Sequence, residues 1–451
     1  MKAFRRSTVL LALIALLLSA CGGAQGLQGS APTTAPVGEQ PGATTTTGQP
    51  TTAASDEQVT LSLWIFEGEE SFLPKLKEEF EAKHPNITLE ITEIPEDQYV
   101  TKIDTALAAN DPPDIGFVYG GQQRWLKAGK FLPLDEMVAE KGIKPEDYNQ
   151  NAMSLYCLFE GKYYCIGSYT GAVLLFYNKD MFDAAGLPYP SPTEPMTIDE
   201  YAATAAKLTK KSDDINQRVW GGSAGPTYWY MDWATHFSED GTKAKGFVND
   251  AATVHTYEVL AQMVKDGSAP SSSDMELIGD TDILAPQKQA MASTDNFVAI
   301  AALEAQGIRY GAAPPPVEKE GDKPFIITWT DAFGVFSQSD HPAEAMEFIA
   351  FLATEGNRLR VEFDTFPLNM KLAEELNWAG ENPGRKEALQ AISLARPTIF
   401  VPGFYEITNP LGDAFNLIVE GQATPQAAMD EAAVQIQDSL DKQWETWEQI
   451  K

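Results

Sequence analysis

From Pro226 to Phe237 the chain reads PTYWYMDWATHF, with Tyr228, Trp229, Tyr230 and Trp233 inside six positions. Rings at this density are either core or a platform for a planar, polar ligand, offering flat apolar contact area with hydroxyl and indole N–H groups at its edge. A helix starting near Thr227 would place Trp229, Trp233 and Phe237 on one face at four-residue spacing, which suits core packing equally well. Tyr228 and Tyr230 point elsewhere on such a helix. Tyr228, Trp229 and Tyr230 are therefore the stacking candidates, with Trp233 and Phe237 as anchors. A second group is Trp64 with Glu67, Glu69 and Glu70. The indole is either a platform or part of an apolar strand, and the carboxylates either meet a ligand or sit solvated at a helix start, where the dipole favours them.

Catalytic chemistry finds less support. A glycoside hydrolase needs two carboxylates at a set separation; with 64 acidic residues any pair can be drawn on paper, and no pair stands out. The histidines, His84, His236, His255 and His341, are scattered, and two of them precede proline. The sequence shows no metal-ligand spacing, nucleophile elbow or phosphate loop. Binding without turnover, metal or cofactor is expected.

At 451 residues, 43% of them hydrophobic, the chain can form two or three domains with sizeable cores. The formal charge of −31 repels nucleic acid and anionic headgroups, so a nucleic-acid partner is not expected. Residues 1–20 have a basic start (Lys2, Arg5, Arg6) and an apolar run too short for a permanent span, ending in LSAC. That ending resembles the bacterial lipoprotein signal, which would make Cys21 the lipidated first residue of a protein held outside the cytoplasm. Residues 21–57, rich in Thr, Gly, Pro and Ala, bury too little to fold and read as a tether. Cys157 and Cys165, in YCLFEGKYYC, suggest a hairpin closed by a disulfide, the default outside the cytoplasm.

Positioning elements follow from periodicity. VTLSLWIF and ITLEITEI alternate as strands, helices are expected after each, and PPDIGFVY reads as a short buried strand. This is the order of a parallel α/β sheet, whose ligands collect at the carboxyl ends of the strands, here residues 66–70 and 119–122. Further on come a strand ending at Tyr177 and Asn178, a helix closed by Gly186, a helix over 198–210, and helices at 341–362 and near the C-terminus.

LSLW, FEAKHPNITLEI, PPDIGFV, LLFYNKDMFDAAGL, TIDEYAATAAKLT, QAMAST, SDHPAEAMEFIAFLATEG and GQATPQAAMDEAAVQI occur in an order that resembles the extracellular solute-binding proteins of ABC transporters, in the sugar-binding group with maltose-binding protein. The resemblance implies an α/β fold of two lobes with three hinge crossings, near Tyr169, Trp329 and Pro397. Lobe one would hold 58–168 plus 332–396 and lobe two 171–327 plus 400–451. It also implies a monomer that closes around a sugar or oligosaccharide and presents it to the permease subunits. A polyamine or a glycerol phosphodiester is the alternative ligand. The cleft contacts implied are Tyr119 and Gln122 after the third strand, Thr170 and Gly171 on the first crossing, and Trp329 and Asp331 on the second. Asp295 and Asn296, following QAMAST, and Arg396 and Tyr405, near the last crossing, complete the set.

Overall fold

The computed structural model describes residues 57–66, 72–118, 123–224, 236–278, 287–363, 365–397, 399–403 and 408–450. Residues 1–56, which include Cys21 and nearly all of the expected leader and tether, lie outside them.

Alternation in β1 (Val59–Phe66) buries Val59, Leu61, Leu63 and Ile65 on one face. The strand pairs in parallel with β2 (Ile87–Ile94), from Val59 opposite Ile87 to Phe66 opposite Ile94. On its other side runs β3 (Ile115–Phe117), also parallel. Parallel neighbours need crossovers, supplied by the helices Phe72–Lys83 and Glu96–Ala109. β10 (Phe333–Val335) arrives from far down the chain and closes the β3 edge antiparallel. The sheet packs tightly enough at Gly116 that a Cβ there would lie 2.7 Å from Phe336 Cε2.

Cys157 and Cys165 form a disulfide with Cα atoms 4.7 Å apart. It closes a hairpin of β4 (Leu158–Phe159) and β5 (Lys162–Tyr163) that turns through Glu160 and Gly161, both at positive φ. The residues before Cys157 form the helix Gln150–Tyr156, capped by the Asn149 side chain, rather than a strand.

The second sheet centres on β6 (Gly171–Asn178), buried along its whole length, which is why GAVLLFY reads as a continuous apolar run. β7 (Met291–Asp295) pairs with it on one side, and β8 (Tyr310–Ala313) and β9 (Thr328–Trp329) also pair with it, all antiparallel. One core contains Val173, Leu175 and Tyr177 with side chains from the helices Ile198–Leu208, Ala251–Asp266, Asn409–Val419 and Pro425–Gln449. Thr197 and Glu200 close a capping box at the start of the first of these.

A further core, holding Ala172, Leu174 and Phe176, corrects the expected division of the chain. Phe366, Ala373, Trp378, Ala388, Ala391 and Ile392 pack there, against the second sheet, although 332–396 was assigned as a block to lobe one. The chain leaves the first sheet after the helix Asn357–Glu362 and runs beside the first crossing. Thr170 N donates to Phe366 O (2.8 Å) and Leu368 N to Ser168 O (3.2 Å). The third passage therefore falls at 365–368 and not near Pro397, because the helix Pro383–Ile392 buries its apolar face on β8 and β6.

Candidate functional site

Two backbone passages join the sheets directly, 165–171 into β6 and 328–333 out of β9. The carboxyl ends of the first sheet reach the second passage: Val118 N donates to Ala332 O (2.8 Å), and the Phe117 and Phe333 rings meet at 4.4 Å. The amino end of β6 reaches it from the other side, with Gly171 opposite Trp329 and Val173 opposite Asp295. The end of β3 and the amino end of β6 thus meet at one seam along the second passage.

At that seam the indole of Trp329 is half-buried and packs against the cores of both lobes. It lies so close to Gly171 that a Cβ there would come within 2.3 Å of Trp329 Cε2. Only glycine leaves the ring its place. Asp295 is likewise half-exposed, at the end of β7. These two leave polar and aromatic surface partly exposed at the seam.

The other expected contacts at this end of β6 are occupied inward. Thr170, Asn296 and Asp331 are all buried. Asn296 Oδ1 accepts from Ala172 N (2.7 Å) and its Nδ2 donates to Thr170 O (3.4 Å), tying the helix Asn296–Ala305 to β6. The resemblance placed Asp331 in the cleft, on the second crossing. Its carboxylate instead accepts from Ser168 N (2.6 Å) and Tyr169 N (3.2 Å) and pairs with Arg360 Nη2 at 3.0 Å. A buried charge needs such partners, and here the protein provides them all.

Trp64 is half-buried beside the helix Glu96–Ala109, where it floors a groove of about 530 Å³. Lys102 Nζ stands 4.9 Å above its ring. Arg396 stacks over Phe325 at 5.6 Å, on the second lobe. Glu67, Tyr119, Gln122, Tyr228, Trp229, Tyr230 and Tyr405 lie outside the described residues. Their flanks are placed: Ala224, before the aromatic segment, and Phe237, after it, are both buried in the second-lobe core, so Phe237 is an anchor as expected.

Arg360 and Ser168 were not singled out from sequence. Continuing the apolar face of the 341–362 helix from Ala353 by four and seven residues reaches Asn357 and Arg360, both buried. The periodicity carried that signal, but the polar side chains argued for solvent.

Two α/β lobes meeting at a seam with a half-exposed aromatic define a two-lobed binding-protein fold. The chain belongs to the bacterial extracellular solute-binding proteins, whose family model matches residues 67–358. The galactooligosaccharide-binding protein of Bacillus subtilis (strain 168) is 23% identical over 384 residues, covering 78% of this chain and 83% of that one. The sn-glycerol-3-phosphate-binding periplasmic protein UgpB of Rhizobium meliloti (strain 1021) is 22% identical over 364 residues, covering 72% and 80%. Among solved structures, an ABC substrate-binding protein from Listeria monocytogenes in complex with cycloalternan superposes with a TM-score of 0.72. It is 22% identical, and the match covers 85% of this chain and all of that one.

Proposed function

We propose that this protein captures a neutral sugar or oligosaccharide between its lobes outside the cytoplasm and delivers it, by hinge closure, to the permease subunits of an ABC importer. The observation that carries this reading is the Trp329 indole, seated over Gly171 at the seam and touching both cores. A ligand stacked there contacts both lobes at once, so its binding energy favours the closed form. The galactooligosaccharide-binding relative and the cycloalternan complex support the same ligand class. Tyr228, Trp229 and Tyr230 from lobe two, and Glu67, Tyr119 and Gln122 from the strand ends of lobe one, complete the site in this reading. The protein acts as a monomer, lipid-held through Cys21, and binds without turnover.

A ligand that binds only the native state raises the melting temperature. In a thermal-shift screen of oligosaccharides, polyamines and glycerol phosphodiesters, neutral oligosaccharides are expected to give the largest shift. A shift confined to polyamines would sink the sugar reading. The relative UgpB, an sn-glycerol-3-phosphate-binding protein, favours a second reading, a glycerol phosphate monoester or diester as ligand, and the same screen with sn-glycerol-3-phosphate added decides it. Product analysis after incubation with any stabilising glycan is expected to return it intact.

A further inference from the structure

All three passages between the lobes meet at one buried polar cluster. The first passage contributes Ser168, whose Oγ donates to Asp331 Oδ2 and accepts from Arg360 Nε (2.8 Å). The second contributes Asp331, which also accepts from Thr330 Oγ1 (3.1 Å). Approaching the third are Arg360 and Asn357. Asn357 Nδ2 donates to Gly167 O (3.1 Å), and its Oδ1 accepts from Asn369 N (2.8 Å) on the far side of the passage. The Asp331 and Arg360 side chains are each 2% exposed. Phe72 and Tyr169 flank the guanidinium, with its carbon 3.5 Å and 4.9 Å from their ring centres. The backbones approach so closely that a Cβ on Gly167 would lie 1.7 Å from Thr330 Oγ1.

We propose that the Asp331–Arg360 pair, with Ser168 and Asn357, is the fixed pivot of lobe closure and positions the Trp329 platform two residues away. Apolar contacts slide with little directional penalty, whereas a buried charge pair with its donors satisfied has one geometry. Breaking it during each cycle would expose an uncompensated charge to the interior, so the lobes rotate about it and not through it. Asp331 and Arg360 are positioning residues, acting through the backbone of 168–171 and 329. The proposal rests on the closure reading above, but its first test needs no ligand.

The test compares wild type with Asp331→Asn and with the double variant Asp331→Asn/Arg360→Met. The single variant strands the guanidinium and serves to expose the cost of doing so; the double variant removes both charges and is expected to fold. Hydrogen exchange is measured on ligand-free protein for peptides covering 165–172 and 326–334, with 87–94 as a core reference. In the double variant the two hinge peptides are expected to exchange about tenfold faster while the reference is unchanged. Wild-type exchange at the hinge would overturn the proposal. Should the double variant not fold, Arg360→Lys, which keeps the charge and loses the fork, gives the same comparison. In a second arm, the affinity for whichever of lactose, galactotriose or maltotriose stabilises the wild type is expected to fall about tenfold in the double variant. Unchanged affinity also counts against the pivot. If none of the three stabilises the wild type, this arm uses the sugar that the thermal-shift screen returns; if that screen returns no sugar, it is the sugar reading that falls, and the exchange arm still decides the pivot.

Discussion

At the scale of single residues, the seam separates groups that face a ligand from groups that hold the backbone. Trp329 serves both in the proposed function, since its half-buried ring packs on two cores. Trp329→Ala is therefore expected to weaken sugar binding by about 10- to 100-fold, or about 1.4–2.8 kcal/mol, and also to lower the melting temperature. Trp329→Phe retains a platform and separates the two effects: affinity returns in part while stability recovers further. Gly171→Ala makes a complementary case, because the added methyl displaces the indole without touching its chemistry. Calorimetric titration of the three variants checks the set; unaltered affinity in Trp329→Ala would remove the indole from the site.

At the scale of elements, the segment after the third passage is fastened by a carboxylate. Glu304, on the helix Asn296–Ala305, takes both arms of Arg385 (2.9 and 2.6 Å), the Tyr310 hydroxyl (2.8 Å) and Asn382 Nδ2 (2.6 Å). Burial alone would raise its pKa, but the hydrogen bonds from Arg385 and Tyr310 and the guanidinium charge outweigh it and hold the carboxyl below its usual range. A lowered folded-state pKa means that this contribution is complete above the ordinary carboxylate pKa and is lost as pH falls through the lowered value. Glu304→Gln is expected to cost about 1–3 kcal/mol at neutral pH and to flatten the decline of stability on acidification below about pH 5. Urea titrations across pH measure both. The disulfide hairpin is a second such element. Opening its short loop with Cys157→Ser/Cys165→Ser is expected to cost about 2–3 kcal/mol by the loop-entropy model, read as a shift in the urea midpoint.

At the scale of the whole molecule, the lobes touch away from the hinge as well. Trp447, near the end of the helix Pro425–Gln449, lies under Lys127 Nζ at 4.7 Å and edge-on to Phe159 of the disulfide hairpin at 5.9 Å. Phe400 meets it from the second-lobe side, ring centres 4.8 Å apart and planes inclined by 54°. This clasp adds a contact between the lobes to those of the seam and its passages. Trp447→Ala is expected to weaken that coupling, so that a calorimetric melt broadens or resolves into two transitions. A single unshifted transition would show that the clasp carries no coupling.

Much of this architecture was legible in the chain. Strict alternation located β1 and β2 because a half-buried strand must repeat every two residues, and the long apolar run located β6 because both its faces are covered. The family resemblance, not these rules, put Thr170, Gly171, Asp295, Asn296, Trp329 and Asp331 in one neighbourhood, through the crossings it implies. Local rules do not say which side chains turn inward there. The resemblance made Asp331 a ligand contact from its place on the second crossing, whereas its burial depends on Arg360, 29 positions away. The third passage was misplaced for the same kind of reason: the amphipathic helix Pro383–Ile392 states that it needs an apolar partner but not which sheet provides it. The sequence by itself determined the elements, the family resemblance and the aromatic, polar chemistry offered to a ligand. Tertiary structure decided the occupancy of each polar group, since a buried charge or hydroxyl is settled by partners distant in the chain.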